Sequence, residues 1–128
     1  TLGAERAWVV HGAGGFDEIS PSGETKVASL ENGRITVFTI TPDDAGVAGG
    51  PAEAIRGGDA AHNAEALRGV LTGDRNPYRD TVLLNAGAAL VVAGVAADIA
   101  EGARLAADTI DSGRAHDKLD LLVAVSNA

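Results

Sequence analysis

Asn32-Gly33 lies between two segments, Thr25 to Glu31 and Arg34 to Ile40, that are rich in apolar and β-branched residues. An Asn-Gly pair accepts the positive backbone angles of both central positions of a type I′ turn, so the sequence predicts a tight β-hairpin. In that register Glu31 faces Arg34, Leu30 faces Ile35 and Ala28 faces Val37, which pairs charge with opposite charge and apolar with apolar. A lone hairpin is marginal in water and needs more strands or a covering layer. The rest of the chain has to supply them.

The run from Arg6 to Val10 carries apolar residues in succession, the pattern of a strand covered on both faces. Gly12, Gly14 and Gly15 then end it. One strand and one hairpin make a poor sheet, so this run is expected inside a larger parallel sheet whose other strands lie upstream. Downstream the signals turn helical. Pro42 stops the second hairpin strand, and a connector with one helical turn after it runs to Gly58. Asp59 stands as N-cap of a helix over Ala60 to Leu71, with Gly73 just past its end. The loop Asp74 to Asp80 separates it from a long apolar helix within Thr81 to Ala97. Asp98 and Glu101 have capping-box spacing and open a helix through Ser112 that Gly113 terminates. Leu119 to Val125 reads as a final short helix or strand. The expected class is α/β: one buried strand and a β-hairpin, followed by three or four helices.

Composition narrows the function. With 45% apolar residues the chain can bury a core. Only 3% are aromatic, so that core must close through small side chains and near backbone approach. A formal charge of −8 opposes binding to nucleic acid or to an anionic membrane surface. The absence of Cys excludes a disulfide framework and a thiolate metal site, and agrees with a reducing, cytoplasmic setting. No basic and apolar leader pattern opens the sequence. The charge-free stretch Thr81 to Ala97 falls short of the ~18 residues of a spanning helix and contains Asn85, Gly87 and Gly94, so it reads as a buried helix.

Two adjacent carboxylates, Asp17 and Glu18, follow the glycine-rich turn. In a regular strand neighbouring side chains point to opposite faces, so such a pair converges on one ion only where the backbone is irregular. Magnesium takes one or two carboxylates together with substrate phosphates and waters. The pair therefore reads either as magnesium ligands or as solvated acids beside the Ser20-Pro21 bend. His11 is a possible base or ligand, or a strand-end residue satisfied by a carbonyl; His62 and His116 stand near helix ends, and no two of the three have zinc-ligand spacing. Gly57-Gly58-Asp59 looks like a phosphate loop before a helix, but Asp59 puts negative charge where the phosphate would sit, and capping accounts for it. Asp43 and Asp44 fit the first turn of a short helix. Arg75 and Arg79 bracket a Pro-Tyr segment that reads as a solvated loop in preference to a contact with an anionic partner. No nucleophile elbow, P-loop or complete GxGxxG is present.

Taken in order, VVHGAGGFDEIS, the hairpin leading into TPDDAG, GGDAAHNAEALRGVLTG, NPYRDTVLLNAGAALVVAG and EGARLAADTIDSGRAHDKLDLL resemble the carboxy-terminal part of the anthranilate phosphoribosyltransferases. The resemblance covers nearly the whole chain. It implies the second half of a nucleoside phosphorylase/phosphoribosyltransferase-like α/β domain across residues 1–128. The implied reaction is magnesium-dependent transfer of phosphoribosyl from phosphoribosyl pyrophosphate to anthranilate, with release of pyrophosphate. The family's Asp-Glu pair, its magnesium ligands, maps onto Asp17 and Glu18. Phe16 stands where the family more often has leucine.

The same resemblance implies what lies elsewhere. The family's GTGGD pyrophosphate loop, its Lys-containing loop and its anthranilate-contacting arginine are not found in this sequence, nor is the amino-terminal helical domain through which a homodimer forms. The segment is therefore expected to be inactive alone. A pyrimidine nucleoside phosphorylase shares the architecture and is the alternative enzyme. A non-enzymatic nucleic-acid-binding relative is the other alternative, opposed by the −8 charge.

Overall fold

The computed structural model describes residues 3–128. Its turn at Asn32-Gly33 has φ of 51° and 72°, the double left-handed geometry that the dipeptide predicts. Strands β2 (Thr25–Glu31) and β3 (Arg34–Ile40) flank it antiparallel, with Glu31 opposite Arg34, Leu30 opposite Ile35 and Ala28 opposite Val37, as expected. Strand β1 (Arg6–His11) pairs antiparallel with β2, which gives the sheet order β1-β2-β3.

Within the described residues the first strand is covered on one face only. No residue of β1 is buried, and Val9 is 70% exposed. The reason lies in the two faces of the sheet. Trp8, Val10, Val27 and Ile40 turn toward the helices, and Trp8 meets Phe38 edge-on at 5.4 Å between ring centroids. The opposite face carries Val9, Ile35 and Val37, which stay largely exposed because no described element covers them. Apolar residues on both faces produced the continuous run in the sequence. Only one face is packed here, and every described pairing is antiparallel.

Four α-helices follow the sheet: α1 (Ala60–Thr72), α2 (Pro77–Val92), α3 (Ile99–Asp111) and α4 (Arg114–Ser126). Short 3-10 turns at Asp43–Ala45 and Ala52–Ile55 punctuate the connector. Asp59 caps α1 by accepting from the His62 backbone N–H at 2.9 Å, and Gly73 closes it in the left-handed region. Asp98 caps α3 by accepting from Glu101 N–H at 2.8 Å, while the Glu101 carboxylate reaches back to Ala97 N–H at 2.8 Å.

Three boundaries differ from the sequence reading. Helix α2 starts inside the presumed 74–80 loop because Asn76 accepts from Arg79 N–H at 2.9 Å and Pro77 fills the first helical position, where its missing N–H costs nothing. It ends at Val92 rather than Ala97, where Gly94 turns left-handed. The last element is a full helix from Arg114 and not a short piece from Leu119. None of its residues is buried, so local propensity and its contacts with α1 and α3 hold it.

The core matches the small-side-chain expectation. Ile19, Val27, Val70, Leu84, Ala103 and Ile110 form its centre. Helices α2 and α3 meet at Gly87 and Gly102, where a Cβ on Gly87 would lie 2.7 Å from the Ala103 backbone nitrogen. Only hydrogen fits at that crossing. No described helix is long and apolar enough to cross a membrane.

Candidate functional site

The acidic pair occupies a short span between two fixed points. On the entry side, Gly12 N–H donates to Phe16 C=O at 2.9 Å and Gly15 N–H to Gly12 C=O at 3.0 Å, which closes a tight turn with Gly14 and Gly15 at φ of 82° and 83°. That conformation is strained for any residue with a Cβ. On the exit side Ile19 and Ser20 are buried, at 1% and 0% exposure. Ser20 N–H donates to the Thr25 hydroxyl at 3.0 Å. Ile19 is gripped at both backbone groups by one side chain: its N–H donates to Asn85 Oδ1 at 2.9 Å, and Asn85 Nδ2 donates to its C=O at 3.0 Å. Asp17 and Glu18 are the residues left between these anchors, Asp17 exposed and Glu18 half-buried.

Glu18 borders a cavity of about 520 Å³ whose walls include Gly57, Asn63, Tyr78 and Asn85. Asp17 does not line it. A second amide clamp shapes the opposite wall: Gly58 N–H donates to Asn63 Oδ1 at 2.9 Å, and Asn63 Nδ2 donates to Gly58 C=O at 3.2 Å. The Gly57-Gly58-Asp59 segment thus contributes a wall and a helix cap. The described salt bridges use Glu31, Asp108, Asp111 and Asp120, so among the described residues no basic side chain neutralises Asp17 or Glu18.

Among the described residues no group of three or more His, Cys, Asp or Glu side chains could enclose a metal ion. In donor chemistry, two carboxylates with no basic partner among the described residues suit magnesium, which takes one or two carboxylates and completes its shell with waters and substrate phosphates.

The other candidates are dispersed. His11 ends β1 exposed, His62 lies in the first turn of α1, and His116 pairs with Asp120 at 3.4 Å on α4. Asp43 and Asp44 occupy the expected helical turn, where Asp44 accepts from Thr41 N–H at 2.8 Å. Arg79 overturns the solvated-loop reading. It is 2% exposed, and its Nη2 pairs with Asp111 at 2.8 Å, joining the start of α2 to the end of α3. Arg75 remains exposed and reaches Asp111 at 3.5 Å.

Asn63 and Asn85 escaped the sequence reading as site residues. The available signal for Asn85 is an amide within the charge-free stretch Thr81 to Ala97, since a polar group drawn into an apolar setting requires partners.

Comparison with known proteins bears on the family and the fold. Residues 1–116 match the family described as Glycosyl transferase family, a/b domain. An anthranilate phosphoribosyltransferase from Rhodopseudomonas palustris (strain BisA53) is 58% identical over 126 residues, covering 98% of this chain and 37% of that protein. The anthranilate phosphoribosyltransferase of Thermus thermophilus superposes with a TM-score of 0.86 at 36% identity, over 96% of this chain and 36% of that one. The Saccharomyces cerevisiae enzyme, in a structure with PRPP and Mg, superposes with a TM-score of 0.80 at 27% identity, over 90% and 33% of the two chains. The chain thus spans little more than a third of the length of these relatives and corresponds to their C-terminal part. By the match across residues 1–116 and the fold that accompanies it, the chain belongs to the glycosyl transferase a/b-domain family.

Proposed function

We propose that this chain is the magnesium-binding segment of an anthranilate phosphoribosyltransferase, with Asp17 and Glu18 as the metal-binding carboxylates. The observation that carries this reading is the acidic pair held open between two backbone anchors, in a chain 58% identical to such an enzyme along 98% of its length. In the proposed reaction the ribosyl C1–oxygen bond to pyrophosphate breaks, the anthranilate nitrogen bonds to C1, and the nitrogen releases a proton. Magnesium, when bound, neutralises the charge gathering on the departing pyrophosphate. Asp17 and Glu18 would hold that ion at a fixed place. The glycine turn and the Ile19 anchor keep their backbone from rearranging as charge develops, so little reorganisation is needed at the transition state.

The pyrophosphate loop and the acceptor-binding arginine would come from the part of the relatives that this chain does not span. On this reading the segment is inactive alone, works in the cytoplasm, and dimerises through a helical domain outside these residues. The test is Asp17→Ala with Glu18→Ala in the full-length protein, followed by loss of anthranilate fluorescence across a magnesium titration. A sharp fall in magnesium-dependent turnover supports the assignment. Unchanged kinetics over the whole titration refute it.

A further inference from the structure

Asn85 lies one helical step from buried Leu84, in the apolar middle of α2, yet it spends its side chain entirely on hydrogen bonds. Its Oδ1 accepts from Ile19 N–H, and its Nδ2 donates to Ile19 C=O and, at 3.0 Å, to Thr81 C=O. One acceptor and both amide hydrogens are thereby used, which leaves the side chain a single orientation. The Ile19 N–H belongs to the peptide plane that also carries the Glu18 carbonyl, so holding it sets the backbone direction of Glu18. The Ile19 side chain, 1% exposed, prevents the exit from swinging outward. Thr25 fixes the next peptide through Ser20.

From this geometry we infer that Asn85 is a positioning residue: by clamping the Ile19 backbone it presets Asp17 and Glu18 for a divalent cation. The inference rests on the magnesium reading of the acidic pair. Groups that orient metal ligands govern affinity without touching the ion, and their loss commonly weakens binding about 10- to 100-fold. Asparagine fits the task because a single residue can imitate a β-bridge, donating and accepting on one partner.

The experiment uses the full-length protein with Asn85→Ala, Thr25→Val and Glu18→Gln. Two quantities are read: the magnesium concentration for half-maximal rate, and Mn2+ binding in the presence of inorganic pyrophosphate by electron paramagnetic resonance. Asn85→Ala is expected to raise both midpoints about tenfold while KM for anthranilate stays unchanged. Asn85→Asp, which keeps an acceptor but cannot donate to Ile19, should not restore them. Lowered thermal stability with both midpoints at the parental value would make Asn85 merely structural and overturn the inference. Should Asn85→Ala fail to fold, Thr25→Val decides: it removes the Ser20 acceptor at nearly constant shape, and unmoved midpoints refute positioning by the loop exit. Glu18→Gln separates the two levels. If it moves the midpoints and the anchor variants do not, only the positioning role falls; if it too leaves them unmoved, the magnesium assignment falls and the inference with it.

Discussion

Gly87→Ala sets two opposing effects against each other at the crossing of α2 and α3. Alanine in place of glycine in a helix interior favours the helix by about 1 kcal/mol. Against that, the new Cβ would lie 2.7 Å from Ala103 N, 3.0 Å from Gly102 C and 3.2 Å from Ala103 Cα. Relaxed contacts between carbon atoms lie at about 3.5 to 4.0 Å, so the helices must part by about 1 Å. The obstructing atoms are backbone, and no rotamer change can clear them. Separation loosens the contacts of Leu84, Ala88, Ala103 and Ala106, all buried along these two helices. A gap of that size forfeits about a quarter to a half of each dispersion contact, and overpacking of this kind costs about 1 to 3 kcal/mol. Because nothing rotates away, the upper part of that range applies, and the net expectation is destabilisation of about 2 kcal/mol. Equilibrium urea unfolding followed by circular dichroism measures it on the full-length protein. Ala89→Gly, on the exposed side of α2, calibrates the propensity term and should lose about 1 kcal/mol. A Gly87→Ala protein as stable as the parent, or more so, would refute the claim that backbone contact rather than propensity governs this position.

Two further stability experiments probe other joints. Asp111→Ala should cost about 2 to 3 kcal/mol by stranding the buried Arg79 guanidinium. Arg79→Met, which replaces a buried charge with apolar volume and leaves a partly exposed Asp111 to water, should stay within about 1 kcal/mol of the parent. Urea midpoints for both variants check that ordering, and equal losses would contradict it. Gly33→Ala should cost about 1 to 2 kcal/mol purely through backbone strain, since φ is 72° there and nothing lies within 4 Å of the added methyl group. The same unfolding assay would contradict this if it found no loss.

The open face of β1 and β3 explains why the hairpin register was easier to read than the burial. Val9, Val37 and Ile35 are apolar in the sequence and exposed in the structure. Residue type records what a surface is suited to contact, whereas burial depends on which elements reach it. The acidic pair shows the same division. Its carboxylates and the preceding glycines were evident from spacing, but their anchors were not: Asn85 lies 66 positions from Ile19. Arg79 and Asp111 are likewise separated by 32 positions, and nothing local in the sequence pairs them.

By itself the sequence determined the type I′ hairpin and its register, the caps at Asp59 and Asp98, the small-residue character of the core and the placement of two carboxylates after a glycine turn. Each depends on residues within a few positions of one another, or on composition, and backbone stereochemistry acts at that range. Tertiary structure decided which sheet face is packed, that Arg79 is an interior ion-pair partner, that Gly87 and Gly102 admit backbone contact, and that Asn85 clamps the peptide beside Glu18. Those outcomes depend on partners far along the chain, and their energies exist only once α2 has docked against both α3 and the loop that carries the acids.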